Sequence, residues 1–234
     1  MKKVRKTHAS LNLPTLTLEG SLFLPDQLEK AALGRADWQT EADYGTPRGL
    51  KLKDDYSRAF QIACAHWKHF AARMERGDAE GYAVTRTFVQ ELLRDAFGYT
   101  ALQACTGITL NERTYPVSLL ADTVPVIVAP HTLALHTTDA RFAVAGSGIR
   151  KKSAFMLAQE LLNASSDHLW AIACNGKTLR LLRDAATLTR PSYLEIDLAD
   201  LLEGQRYAEF ASVWRLLHAS RARQGEGDKA NGEG

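Results

Sequence analysis

Apolar residues recur at helical spacing in four stretches of the chain. Between residues 54 and 76 they recur every three or four positions, as on one face of an amphipathic helix that ends at Gly77: Tyr56, Phe60, Ala63, Trp67, Phe70 and Met74. The same spacing predicts helices over 83–97, with Gly98 as the stop, over 153–163, with Ser153 as the N-cap, and over 206–221.

The spacing changes to that of strands in two other regions. Short apolar or β-branched runs over 107–110, 114–121 and 124–128 predict a β-meander, in which Pro116 and Pro125 favour strand starts or edges. Runs over 169–174 and 177–183 flank Asn175 and Gly176, a pair typical of a hairpin with a type I′ turn. A further strand or turn is predicted over 193–198.

Turn-forming residues and composition divide the chain. Frequent Gly and Pro predict an irregular N-terminal arm over residues 1–52, and the Gly-rich polar end predicts a flexible tail or linker over 224–234. Residues 53–223 then form the main domain. Its order of helix, meander, helix and hairpin predicts an α/β (α+β) fold with a small mixed sheet flanked by helices.

Composition narrows the function classes. With 234 residues, of which 45% are hydrophobic and 24% charged, the chain is expected to be globular. The net charge of +2 gives no global signature of polyanion binding, so a basic surface has to be local. Three cysteines without a CxxC pair argue against a disulfide scaffold or a zinc ribbon. A cytoplasmic protein without a membrane span is expected.

Several segments resemble the restriction-endonuclease-like, or PD-(D/E)xK, superfamily: a helix ending in Phe97-Gly98-Tyr99, a meander, a helix containing Gln159, and a hairpin containing Cys174-Asn175-Gly176-Lys177. Within it, the chain is similar to the N-terminal region of large bacterial restriction–modification proteins. There a nuclease-like domain precedes an adenine-N6 DNA methyltransferase, as in type IIG and DISARM-type phage-defence systems. The likeness also includes the segments at 16–20, 42–50, 159–163, 167–170 and 188–193.

The resemblance also implies where a nuclease centre belongs. Those families place an Asp at the start of one meander strand and Glu-x-Lys or Asp-x-Lys on the next, and the two carboxylates hold Mg²⁺. In this sequence Pro116 stands where the first acid is expected, and Ala129 and His131 stand at the second acid and the lysine. The resemblance therefore implies a nuclease fold with a degenerate centre and no metal or other cofactor.

Methyltransferase chemistry is not expected of this chain alone. It has neither a Gly-rich cofactor loop after a strand nor an Asn-Pro-Pro-Tyr/Phe motif to receive a flipped adenine.

The first functional hypothesis is a non-catalytic DNA-interaction or docking module of a restriction–modification system. Its expected partners are the DNA backbone and the methyltransferase domain or subunit. Three adjacent cations, Arg150, Lys151 and Lys152, follow a Gly-containing loop and precede a helix, a composition that suits phosphate contact. Further cations could widen this patch: Lys177, Arg180, Arg183 and Arg190.

Two alternatives remain open. In the first, the chain is a Mg²⁺-dependent, type II-like endonuclease with a migrated site, whose metal is held by some set among Glu91, Asp122, Asp139 and Glu160. In the second, the domain only serves as a docking platform.

Overall fold

A computed structural model describes residues 13–20, 24–77, 80–183 and 192–222. The predicted tail over 224–234, Arg190 and the first twelve residues lie outside the described residues. The described helices are α1 Pro25–Ala32, α2 Glu41–Tyr44, α3 Leu52–Arg76, α4 Gly81–Glu91, α5 Ala154–Ala164, α6 Leu198–Glu203 and α7 Tyr207–Leu217. The strands are β1 Leu16–Glu19, β2 Leu102–Ala104, β3 Ile108–Leu110, β4 Arg113–Tyr115, β5 Leu119–Ala121, β6 Val124–Val128, β7 Trp170–Cys174, β8 Thr178–Arg183 and β9 Tyr193–Asp197.

Seven of these strands form one mixed sheet in the order β1-β9-β8-β7-β6-β5-β2. All neighbouring strands are antiparallel except β6 and β7, which are parallel and pair Val126 with Ile172 and Val128 with Cys174. A parallel pair needs a crossover connection, and here α5 provides it. The prediction of an α/β (α+β) fold with a mixed sheet flanked by helices is confirmed.

Each face of the sheet is covered by its own hydrophobic core. Strand β6 serves both cores because its side chains alternate: Val126 and Val128 face the core with α3, α4 and α7, whereas Ile127 faces the core with α5. All five residues of β6 are buried. Burial on both faces explains the continuous apolar run at 124–129, which lacks the alternation of a half-exposed strand.

The predicted meander is partly wrong. Strands β5 and β6 do join the sheet of the β7–β8 hairpin, but β3 and β4 pair with each other and form a separate two-stranded sheet. Asn111 and Glu112 both adopt positive φ in the turn between them, so the chain folds back at once. The third meander strand is instead β2, whose Leu-Gln-Ala sequence lacks the β-branched residues that mark a strand.

The predicted helices are present with adjusted ends. Helix α3 ends at Gly77, which takes the left-handed conformation, and the Ser153 hydroxyl caps α5 by accepting from the amide of Met156. The helix predicted over 83–97 is α4 followed by a π-helical turn, Leu92–Ala96. Helix α7 is shorter than predicted and is followed by a 3₁₀ turn at Ala219–Arg221, while α6 was not predicted.

The region predicted to be an irregular arm contains regular structure. Strand β1 pairs with β9, and α1 packs against α7. The side chain of Glu209 on α7 accepts hydrogen bonds from the amide and hydroxyl of Thr15, at 3.0 and 2.6 Å. These contacts connect the first described residues to α7. The sequence does not reveal this connection, because the apolar segments of the N-terminal region are short and are interrupted by glycines and prolines.

The β7–β8 hairpin is present, but its turn differs from the predicted type I′. The turn spans residues 175–178 and is closed by a hydrogen bond from the Asn175 amide to the Thr178 carbonyl. Only Gly176 has positive φ, at 84°, whereas a type I′ turn needs two such residues. The Asn175 carboxamide oxygen accepts from the amides of Lys177 and Thr178, so an Asx turn replaces the expected geometry.

Gly176 should tolerate a side chain poorly. A Cβ there would lie 2.5 Å from Cζ of Phe70, which is buried and stacked on Phe88 at 4.4 Å between ring centroids. We expect Gly176→Ala to lower the free energy of unfolding by about 1–3 kcal/mol more than Gly49→Ala does. Gly49 is the matched control, because its φ of 89° is similar but a Cβ there meets open space. Denaturant unfolding measures both, and equal losses would contradict the expected clash.

Candidate functional site

The position of the expected nuclease centre lies where β5 begins beside the end of β6. The β5–β6 pairing begins with Leu119 opposite Val126, so Pro116 lies three residues before the paired part of β5 and Ala129 three residues after Val126. Ser118 lies next to this position and joins the strands: its amide donates to the carbonyl of Val126, and its hydroxyl accepts from the amide of Val128 at 3.0 Å. Ser118 is buried, so its hydroxyl serves the strand pairing.

The space beyond the end of β6 is filled by packed side chains. The hydroxyl of Thr85, on α4, accepts from the amide of His131 at 3.0 Å and donates to the carbonyl of Gly81 at 2.7 Å. The His131 ring meets Phe70 edge to face, and a Cβ on Gly81 would come within 3.2 Å of that ring. We call Phe70, Thr85, His131 and Gly176 the strand-end cluster. None of its members carries a carboxylate.

Glu91, the helix acid that could assist a nuclease centre, lies elsewhere. It follows Thr85 by six residues, about 9 Å further along the helix. Its carboxylate is 3.5 Å from Nδ1 of His66, whose Nε2 is 3.0 Å from the carboxylate of Asp95. Arg94 donates two hydrogen bonds to Asp95, at 2.6 and 2.9 Å, and thereby lowers the pKa of that carboxyl. Glu91 thus belongs to an ion-pair cluster between α3 and the π-helical turn.

The other three candidate acids have separate surroundings. Asp122 is exposed in the β5–β6 turn, and Asp139 pairs with Arg141, whose backbone amide lowers the pKa of that carboxyl. Glu160 pairs with Lys152. Among the residues that the structure describes, no three His, Cys, Asp or Glu side chains form a group that could hold a metal ion.

Lys152 cannot serve as the exposed phosphate contact that its sequence position suggested. The residue is 2% exposed, its ammonium group pairs with Glu160, and its backbone bridges to Asp139. A buried lysine needs an anionic partner, and Glu160, eight residues later on α5, provides it. The expectation that three adjacent cations face solvent is therefore wrong for the third of them.

Two cations of the hairpin also depart from the predicted patch. Arg180 pairs with Glu195 at 2.6 Å and lies over the ring of Tyr193, at 4.3 Å from its centroid, so its guanidinium is largely engaged. Arg183 is exposed but stands at the far end of β8, opposite Trp170. Since β8 advances about 3.3 Å per residue, Arg183 lies well over 15 Å from the hairpin turn.

Three exposed cations do share one end of the sheet: Arg150, Lys151 and Lys177. Because β6 and β7 are parallel and α5 crosses between them, the start of α5 and the ends of both strands lie at the same end. Hydrogen bonds join these parts: Asn175 donates to the carbonyl of Leu133, and the carbonyl of Leu135 accepts from the amide of Phe155. We call these three cations the basic edge.

Sequence reasoning missed Ser118 and Thr85, the two hydroxyl residues that lie near the position of the expected centre. Ser118 follows the Tyr-Pro-Val segment taken as the acid position, and Thr85 lies two turns before Glu91. The sequence could have identified Thr85, because a Thr within a buried apolar helix face needs a hydrogen-bond partner for its hydroxyl. Nothing in the sequence identifies the amide of Val128 as the partner of Ser118.

Comparisons of the chain with protein-family models, with curated proteins and with solved structures find no match in any of the three. Within the described ranges, no helix has both the length and the apolar character needed to cross a membrane.

We expect Ser118→Ala to lower the free energy of unfolding by about 1–3 kcal/mol, because the buried amide of Val128 loses its hydrogen-bond acceptor. Ser166→Ala is the matched control, since that hydroxyl is exposed and bonds to its neighbour Asp167; its effect should stay within about 0.5 kcal/mol. Urea unfolding of both variants provides the measurement. Equal midpoints would show that the Ser118 hydroxyl does not stabilise the strand pairing.

Proposed function

We propose that this chain is a DNA-binding module of a bacterial phage-defence restriction–modification system, with a nuclease-like sheet whose catalytic centre has been replaced by packing. In this proposal it works beside an adenine-N6 DNA methyltransferase domain or subunit, which performs the chemistry. The resemblance noted in the sequence supports the proposal. So does the order α4, β2, β5, β6, α5, β7, in which β2, β5 and β6 are neighbours in the sheet, although β3 and β4 lie between β2 and β5 in the chain.

The basic edge is the observation that carries the proposal. In open α/β sheets, ligands bind beyond the carboxyl ends of the parallel strands, where crossover helices begin. Arg150, Lys151 and Lys177 lie at that end and are exposed. Such cations bind phosphates without reading bases, so the contact is to the DNA backbone.

The positions of the candidate acidic side chains favour DNA binding over DNA cleavage. A nuclease needs at least two carboxylates converging on one Mg²⁺ ion. Near the end of β6, Ala129 is buried, Ser118 holds a backbone amide, and Thr85 stands where a helix acid would help. Glu91 and Asp95 both contact the His66 ring, and Asp95 is also bound by the Arg94 guanidinium, so these two carboxylates already have partners.

Purified protein with Mg²⁺ or Mn²⁺ should leave supercoiled plasmid DNA intact, because no two of the candidate carboxylates are free to share an ion. Agarose gel electrophoresis after prolonged incubation checks this. Cleavage that is abolished by Glu91→Ala or Asp122→Ala would contradict the proposal and establish the migrated-site endonuclease.

Duplex DNA should bind weakly and without hydrogen-bonded readout of base edges. Each phosphate contact releases condensed counterions, so log K should fall against log salt with a slope of about −0.9 per contact, or roughly −3 for the basic edge. Replacing Arg150, Lys151 and Lys177 together by Ala should bring that slope close to zero. The exposed side chains contribute little to folding, so the free energy of unfolding should change by less than about 1 kcal/mol.

A second triple variant controls for net charge. Arg48, Lys53 and Arg183 are exposed cations away from the basic edge, and Lys53 precedes Phe70 by about 25 Å along α3. Their joint replacement by Ala should leave the salt slope close to that of the wild type. Equal losses in the two triple variants would show that binding follows net charge alone and would contradict the role of the basic edge.

A docking platform is the second candidate, and one observation favours it. Of the described large apolar residues that are exposed, four lie within residues 24–50 of the chain: Leu24, Leu33, Trp38 and Leu50. Trp38 is 78% exposed and adopts a positive φ of 59°, which a tryptophan rarely takes. If the wild-type protein fails to retard duplex DNA even at low salt, this reading replaces DNA contact.

A further inference from the structure

The segment between Ala145 and Lys152 projects from a base fixed at both ends. Ala145 exchanges two backbone hydrogen bonds with Thr114, at 3.0 and 3.2 Å, and Lys152 exchanges two with Asp139, at 2.8 and 3.3 Å. Residues 146–151 lie between these bridges, and we call them the tip loop. Because its ends are held by the β3–β4 hairpin and by the chain before α5, the loop is presented at a defined place.

The tip loop also has internal order. The Ser147 hydroxyl donates to the carbonyl of Val144 at 2.8 Å and accepts from the amide of Ile149 at 3.3 Å. Gly146 has positive φ, and a Cβ there would come within 2.8 Å of the carbonyl of Glu112, so only glycine lets the loop pass the hairpin this closely. These contacts set the position of Ile149 relative to the base.

Ile149 is a large apolar side chain, 52% exposed, directly before two exposed cations, Arg150 and Lys151. A large exposed apolar residue in a monomer is unremarkable by itself. Ile149 differs from such a residue because its loop is held at both ends and lies at the basic edge. Met156, in the first turn of α5, is also exposed. An apolar tip beside phosphate-binding cations is the arrangement by which minor-groove proteins insert a side chain between base pairs.

We propose that Ile149 is a wedge that enters the minor groove of duplex DNA and partly unstacks one base step, while Arg150 and Lys151 hold the flanking phosphates. The inference rests on the proposed DNA-binding function and adds the kind of DNA site that is preferred. Unstacking is easiest at pyrimidine–purine steps such as TA and hardest within A-tracts. The wedge therefore gives the module a preference for flexible steps without hydrogen bonds to bases.

The test uses the full chain and two duplexes of equal length, one with a central TA step and one with a central A-tract, each carrying 2-aminopurine beside the central step. The wild type should bind the TA duplex about fivefold or more tightly than the A-tract duplex and should raise the 2-aminopurine fluorescence of the TA duplex. Ile149→Ala should abolish both the preference and the rise in fluorescence. The salt slope of its binding should stay that of the wild type, because the cations remain.

Two further variants complete the design. Ile149→Phe should keep the fluorescence rise, since an aromatic wedge also unstacks bases. Leu50→Ala removes a similarly exposed apolar side chain, 41% exposed, and should behave as the wild type. Wild-type binding without fluorescence change or TA preference would overturn the wedge and leave the DNA-binding proposal intact. No binding of either duplex at low salt would overturn both.

Discussion

The parallel pairing of β6 with β7 is the constraint on which the rest of this structure depends. Two parallel neighbours cannot be joined by a tight turn, so the chain between them must travel the length of the sheet, and α5 does so. This crossover fixes one end of the sheet as the place where both strands finish and the helix starts. The strand-end cluster, the basic edge and the tip loop all lie at that end as a consequence.

At this end of the sheet, buried polar side chains form hydrogen bonds with the backbone of the fold itself. The hydroxyls of Ser118 and Thr85 each take up a backbone amide, and the carboxamide of Asn175 serves the turn and the carbonyl of Leu133. Burying such groups costs little only when all their hydrogen bonds are made. These two hydroxyls and this carboxamide are therefore engaged within the fold, and the exposed cations of the basic edge lie outside it.

Most of the helices could be predicted from the sequence, because α3, α5 and α7 each carry an apolar stripe and two of them have a recognisable cap or stop. The β7–β8 hairpin could be predicted from Asn175 and Gly176, although its turn geometry could not, since the Asx turn depends on where the carboxamide points. Strand β2 and the separation of the β3–β4 pair from the main sheet could not be predicted, because strands of three residues are too short to show a periodic pattern. For the candidate site, the sequence could not show which cations are exposed. Lys152 and Arg180 look like surface cations in the sequence, but in the fold they pair with Glu160 and Glu195.

Strand β1 determines how the edge of the sheet at β9 is covered. It is four residues long, alternates half-buried with exposed positions, and covers the outer side of β9. A shortened chain beginning at residue 53 would leave the backbone hydrogen-bonding groups on the outer side of β9 unpaired. A strand of another molecule could then pair with β9, whose Leu194 and Ile196 belong to the core. The first described residues therefore act as a protective edge, and a boundary drawn from composition alone would remove it.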